Sequence, residues 1–206
     1  MKKLTGSASY RFREKGSVFL TELHPAADLS ARAAILSAIR KRDHDATHQC
    51  FAWREGVPLI AWGTDDDGEP SGTAGAPMLK VLEGQDITDI LAVCIRWYGG
   101  TKLGAGGLVR AYTKGVHGAV AEAARVGRLE QVRIMIEGVI EAPPESAHLP
   151  FAVLGGFKNV EILRQNFDAD VSIITFRLPP EDRAELEKVW RERSRGGSVK
   201  WEILSA

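Results

Sequence analysis

Cysteine is nearly absent. Only Cys50 and Cys94 occur in 206 residues, far apart and without a CxxC spacing. That argues against a disulfide framework and a structural zinc site, both of which need paired or clustered thiols. Each sits in an apolar, strand-like run, so both are expected to be buried free thiols in a reducing setting. Long hydrophobic runs are missing as well: nothing approaches the roughly 20 apolar residues of a membrane span. The opening "MKKLTGSASYRF" carries charge but no apolar core of a secretory leader, which sets the expectation of a cytoplasmic protein. Net charge is also absent, with 27 Lys and Arg against 27 Asp and Glu. Long-range electrostatics therefore gives no reason to expect indiscriminate nucleic-acid binding, and any anion site has to be local. No GxSxG or HExxH signature of a hydrolase occurs.

What is present is an ordinary globular composition, 44% hydrophobic and 26% charged, in a length that suits one or two domains. "SVFLTEL" (17–23) alternates as a strand does. Asp28 or Ser30 is placed to cap a helix with Leu29, Ala33, Leu36 and Ile39 or Ile35 on one side, and Arg40, Lys41 and Arg42 suit its C-terminal end. "THQCFAW" (47–53) reads as a strand and "IAWG" as its short partner. A loop, "TDDDGEPSGTAGAPML", follows, and Pro77 can open a short helix. "ITDILAVCIRWY" (87–98) is almost continuously apolar, as a strand buried on both faces is. A helix over about 105–124 then carries Leu108, Ala111, Tyr112, Val116, Ala119, Val120 and Ala123 on one face. Beyond "VGRLEQ" the pattern restarts as strand, short helix, two strands, helix and strand. That βαββαβ order is the order of a ferredoxin-like split unit. The expected domains are 1–128 and 129–206.

The densest stretch is "IRWYGGTKLGAGGLVRAY" (95–112). Glycine costs about 0.5–1 kcal/mol relative to alanine inside an element, so such a run marks special backbone geometry or close approach of something to the backbone. A buried strand runs into Gly99 and Gly100, and a helix starts near Gly104. Unpaired amides at a helix N-terminus, beside Arg96, Lys102, Arg110 and Lys114, make a corner able to hold a phosphate or carboxylate. The spacings of a Walker loop and of GxGxxG are both absent. The alternative is packing alone, with Gly104, Gly106, Gly107, Gly115 and Gly118 letting the helix lie close to a sheet.

The loop holds Asp65, Asp66, Asp67 and Glu69. These carboxylates suit a hard cation, a solvated turn with Asp capping its own backbone, or an internal latch onto the basic corner. His48 and Cys50 fall two apart on a strand and face the same side, which would suit a thiol nucleophile with its base. Trp53, Trp62, Trp97 and Tyr98 are read as core; a stacking platform for single-stranded RNA would need them exposed.

"DATHQCFAW", "DDGEPSGTAGAPML" and "RWYGGTKLGAGGLVRAY" resemble, in order and spacing, the three signatures of the IMPACT family with its bacterial YigZ-like members. Where many members carry "KSRF" on the early strand, this chain reads "KGSVFL". The resemblance implies a mixed α+β protein. Its N-terminal domain would be similar to a small-subunit ribosomal protein domain and to domain IV of elongation factor G. Its C-terminal domain would be ferredoxin-like, similar to domain V of that factor. Longer eukaryotic members restrain a starvation-activated kinase of translation initiation through an extra domain. The resemblance brings no established catalytic residues. The reading that follows is a non-catalytic, translation-associated protein without cofactor or metal. It would bind RNA or a ribosome-associated partner through Arg96, Gly99, Gly100, Lys102, Gly104, Gly106, Gly107, Arg110 and Lys114. Two other classes stand beside it: a Mg-dependent enzyme acting on a phosphorylated small molecule, and a protein–protein adaptor.

Overall fold

The computed structural model describes residues 1–57 and 59–202, the side chain of residue 202 excepted. The chain forms two units, Met1–Val132 and a second that begins at Arg133. The first contains β1 (Lys2–Leu4), β2 (Ala8–Glu14), β3 (Ser17–Pro25), α1 (Leu29–Arg42), β4 (His48–Glu55), β5 (Ala61–Asp65), α2 (Gly75–Gly84), β6 (Ile87–Thr88), β7 (Ile90–Trp97), α3 (Ala105–Arg125) and β8 (Leu129–Gln131). Five strands make an antiparallel sheet in the order β2–β3–β7–β4–β5. The apolar run from Ile90 to Ile95 takes the central place, as its pattern requires, and is buried on both faces. Alternate residues serve opposite layers. Ala92 and Cys94 join Phe19, Leu23, Cys50 and Ala52 under α2 and α3. Leu91, Val93 and Ile95 meet Ile39, Ile35 and Leu36 of α1 on the other side.

The expected strand over 87–98 is broken at Asp89, whose φ of +50° is left-handed. Its carboxylate accepts the Gly56 N–H at 2.7 Å, which offsets the strain. The piece before it, β6, pairs in parallel with β1, and β1 pairs antiparallel with β8. Residues 129–131 therefore belong to the first unit, and the break falls after Val132 instead of after residue 128. Asp28 caps α1, its Oδ1 accepting the Ala31 N–H at 2.8 Å. The buried face of that helix keeps Ile35, Leu36 and Ile39 but differs from the expected one at its start. Leu29 is 73% exposed, while Arg32 is buried, pairs with Glu55 at 2.6 Å and lies 3.8 Å over the Trp53 ring. A guanidinium with an aromatic face and a carboxylate can be buried where hydrophobicity alone would place a leucine.

Helix α3 buries the whole expected face, from Leu108 to Ala123. Gly115 and Gly118 let it lie on β2 and β3: a Cβ at Gly115 would overlap Thr21, and one at Gly118 would overlap the Tyr10 ring. No helix among the described residues is long and apolar enough to cross a membrane.

The second unit contains β9 (Ile136–Ala142), α4 (Leu149–Leu154), β10 (Glu161–Phe167), β11 (Ser172–Leu178), α5 (Arg183–Arg193) and β12 (Val199–Glu202). The strands form one antiparallel sheet, β10–β11–β9–β12. Ile140, Ile174, Phe176 and Leu178 pack on Val153, Leu154, Leu186 and Trp190 of the helices. Pro150 sits in the first turn of α4, where its missing N–H costs nothing. The strand expected from residue 132 starts at Ile136. The last two residues of the expected "SVKWEIL" strand, 203 and 204, lie outside the described residues.

Two glycines of one turn predict opposite outcomes. A Cβ at Gly99 would fall inside the backbone of Gly16 and Ser17, whereas one at Gly106 would meet only the end of the Arg110 side chain at 3.5 Å, an ordinary contact. Gly99→Ala lowers stability by about 3 kcal/mol through overpacking. Gly106→Ala raises it by about 0.5–1 kcal/mol through helix propensity. Urea unfolding midpoints at constant m-value check both.

Candidate functional site: a cationic corner over a buried polar cluster

Strand β7 delivers the chain to Tyr98, and residues 99–104 turn it into α3. Gly100 and Gly104 take left-handed φ values of +86° and +71°, which glycine adopts without strain, and a Cβ at either would meet nothing within 4 Å. No side chain caps α3. The first-turn amides of Ala105, Gly106 and Gly107 therefore face outward beside the positive end of a 21-residue helix. Lys102, Arg110 and Lys114 are exposed around them. Among the described residues none of the three has a carboxylate within ion-pair distance. A fourth cation, Lys15, comes from the β2–β3 hairpin. With Glu14, Leu103, Gly107, Arg110 and Lys114 it lines a groove of about 240 Å³. No local pattern points to Lys15, because a hairpin's position beside a helix that starts at Ala105 depends on sheet order.

Two members of the expected set are not available to an outside anion. Arg96 is buried, and its Nη1 donates to Glu69 Oε1 at 2.6 Å. It serves the latch onto the acidic loop, and an outside phosphate cannot reach it. The Gly99 N–H is also occupied, donating to Ser17 Oγ at 3.2 Å. Its lack of a side chain serves the contact with Gly16. The packing explanation thus holds for Gly99, Gly115 and Gly118, and the open-backbone explanation for Gly100, Gly104 and Gly106.

Each carboxylate of the acidic loop accepts a hydrogen bond from within the fold. Asp65 accepts the Asp67 N–H at 2.6 Å. Asp66 accepts three amides, from Gly72 at 2.7 Å, Gly75 at 2.8 Å and Ala74 at 3.0 Å, and so secures the start of α2. Burial pulls its carboxyl upward, but those three N–H groups outweigh it and hold the group below the ordinary carboxylate range. Asp67 accepts the Gln49 N–H at 2.6 Å, and its carbonyl accepts from His48 Nδ1 at 2.8 Å. Glu69 is buried between Arg96 and the Tyr112 hydroxyl, which donates to it at 2.7 Å. Asp65, Asp66 and Asp67 thus cap backbone amides, as in the turn reading, and Glu69 alone makes the latch, to Arg96. Among the described residues no cluster of His, Cys, Asp and Glu is arranged to hold a metal ion.

His48 and Cys50 do face the same layer, but the thiol donates to the Asp66 carbonyl at 3.0 Å and is fully buried. Burial pushes the Cys50 thiol up and the Cys94 thiol up to about 12. Both stay protonated at neutral pH, which removes the nucleophile reading. Among the aromatics, Trp62 is 59% exposed and Tyr98 is 45% exposed, so these two are not core. Tyr98 stands directly beside the open turn.

The chain is similar to proteins of one family. The Impact N-terminal domain family matches residues 15–120, just over half of the chain. An IMPACT family member of Haemophilus influenzae is 36% identical over 165 residues, which are 78% of this chain and 76% of that protein. The IMPACT family member YigZ of Escherichia coli is 44% identical over 110 residues, 52% of this chain. The chain spans about half of the length of YigZ, 54%. Among solved structures, the crystal structure of a hypothetical protein superposes with a TM-score of 0.63 at 30% identity, covering 100% of this chain and 98% of the other. The two-domain translational regulator Yih1 superposes with a TM-score of only 0.34 at 23% identity, over 58% of this chain and 46% of that one, an overlap too small to bear on function.

Removing one partner of the buried pair leaves the other charge stranded. Arg96→Met costs about 3–5 kcal/mol, and Arg96→Met with Glu69→Leu recovers most of that loss, measured by chemical denaturation. Asp66 predicts a pH effect. Its folded-state carboxyl titrates below its unfolded value of about 3.9. Its contribution is therefore present above that value and is lost as pH falls through the folded one. Asp66→Asn flattens the fall of thermal midpoint below about pH 4.

Proposed function

Because this chain belongs to the IMPACT family, we propose that its first unit is a translation-associated binding module that grips the phosphates of RNA, free or in a ribosome-bound partner. The observation that supports the reading is the set of cations with no carboxylate partner among the described residues, Lys102, Arg110 and Lys114, joined by Lys15 near the uncapped first-turn amides of Ala105, Gly106 and Gly107. Phosphate contacts of this kind supply affinity and orientation, and no base preference. Tyr98 offers an exposed ring on which a base can stack, worth about 1–3 kcal/mol. Occupied carboxylates at Asp65, Asp66, Asp67 and Glu69 count against the Mg-dependent enzyme. In the same reading the first unit is similar to domain IV of elongation factor G and the second is ferredoxin-like; the strand order β10–β11–β9–β12 supports the latter.

Fluorescence anisotropy of a labelled single-stranded RNA, titrated between 50 and 300 mM salt, tests the site. Binding weakens steeply with salt, and Lys102→Ala or Arg110→Glu lowers affinity and reduces the log–log slope by about 0.7 for each phosphate no longer neutralised. An affinity that does not change with salt, or a slope untouched by both substitutions, rules the phosphate site out. Ile60 at 62% and Trp62 at 59% exposure support a second, adaptor reading on the β4–β5 hairpin. Under it, Trp62→Ser abolishes protein crosslinks made in cells and leaves RNA binding intact; crosslinks that survive the change dispose of it.

A further inference from the structure

A hydrogen-bonded Ser–His–Glu row lies at the outer edge of the five-stranded sheet, on β3 and the residue before β2. The pairing of β2 with β3 places Ala8 opposite Leu23 and Ser9 opposite Glu22. Extended by one residue, it puts Ser7 opposite His24. Residues two apart on a strand share a face, so Glu22 and His24 project together. Ser7 Oγ stands 3.2 Å from His24 Nδ1, and His24 Nε2 stands 3.1 Å from Glu22 Oε2. A carboxylate only accepts, so Nε2 carries a proton, and in the neutral ring Nδ1 presents its lone pair to the serine hydroxyl. Arg42 completes the row, its Nη2 donating to the other Glu22 oxygen at 2.9 Å. The hydrogen bond from His24 and the Arg42 guanidinium together hold the Glu22 carboxyl below the usual range against its partial burial.

The row opens on a groove of about 360 Å³ where the last turns of α1 and α3 approach the sheet edge, lined also by Glu122, Val126 and Arg128. Arg128 donates to the Ser7 carbonyl, which fixes its guanidinium on the wall of the groove that Ser7 lines. Among the described residues it has no carboxylate within ion-pair distance, so its remaining N–H groups are available. Nucleophile, base and orienting carboxylate in hydrogen-bond order, with a cation beside them, is the arrangement that activates a serine.

We infer that Ser7 is the nucleophile of an acyl-transfer site for small esters, with His24 as its base, Glu22 as the residue that positions His24, and Arg128 as the group that steadies the developing oxyanion. Ser7 Oγ adds to the ester carbonyl carbon while its proton passes to His24 Nδ1. The carbon–alkoxy bond breaks, and the alkoxide leaves with that proton. Water then attacks the acyl-serine by the same route, releasing the carboxylic acid and restoring the hydroxyl. The groove lies near the small end of ligand pockets, which limits the ester to a short acyl chain. This activity is separate from the phosphate corner and stands or falls without it.

A fluorophosphonate probe tests it on the full chain: the Oγ–P bond forms, fluoride leaves, and the adduct is located by peptide mass spectrometry. The expected result is an adduct on Ser7 that is absent in Ser7→Ala. It forms about 100-fold more slowly or worse in His24→Ala and at least about tenfold more slowly in Glu22→Gln. Hydrolysis of 4-nitrophenyl acetate falls in the same order. Folding of each variant is checked by circular dichroism. A folded wild-type chain with no Ser7 adduct overturns the inference, and so does an adduct that forms at an unchanged rate in folded His24→Ala.

Discussion

Everything in the first unit turns on one buried carboxylate. Glu69 reaches from the loop after β5 to the guanidinium at the end of β7 and the phenol in the second turn of α3. Three segments distant in sequence are thereby held at one point. A buried ion pair seldom adds much net stability over an apolar replacement, but its geometry admits few alternatives. Here that geometry decides which way the loop faces, where β7 stops, and how α3 leaves the sheet. Burial of the Tyr112 hydroxyl in the same cluster pushes its ionisation up, so it stays a donor to Glu69.

The consequence for function is a sorting of charge that a zero net charge conceals. The acids of residues 65–69 are spent on backbone amides and on Arg96. The cations of the turn and of α3 are left on the outside. Arg96 is close in sequence to Lys102 yet belongs to the inner set, because strand residues alternate and its side points under α3. Polarity of this kind is a property of the fold, set by sheet register and by the loop's hydrogen bonds, and it leaves almost no trace in composition.

Legibility in the sequence followed the range of the interactions. The central strand, the apolar face of α3, the Asp28 cap and the βαββαβ order of the second unit were readable, because each is written in local periodicity or a single capping residue. The IMPACT signatures were readable because they are long and contiguous. β1 and β2 were not: "SASYRFRE" mixes arginines among its aromatics, and only the glycines of α3 explain why Tyr10 and Phe12 are wanted there. On α1, Ile35, Leu36 and Ile39 meet the core as their spacing predicts, but hydrophobicity cannot foresee Arg32 over Trp53 or the exposure of Leu29. Within the site, Lys102, Arg110 and Lys114 were legible as a cluster. The withdrawal of Arg96, the arrival of Lys15 and the meeting of Ser7 with His24 all needed strand pairing to be known.

The contact between Gly16 and Gly99 sets how much freedom the corner retains. Two backbone turns meet there with no side chain between them, and the Gly99 amide is fastened to Ser17 as well. A loop anchored so close to its exposed stretch has few conformers left to lose when an anion arrives. The entropy of ordering was spent during folding, so the association proposed for this corner would be docking onto a preorganised surface instead of coupled folding.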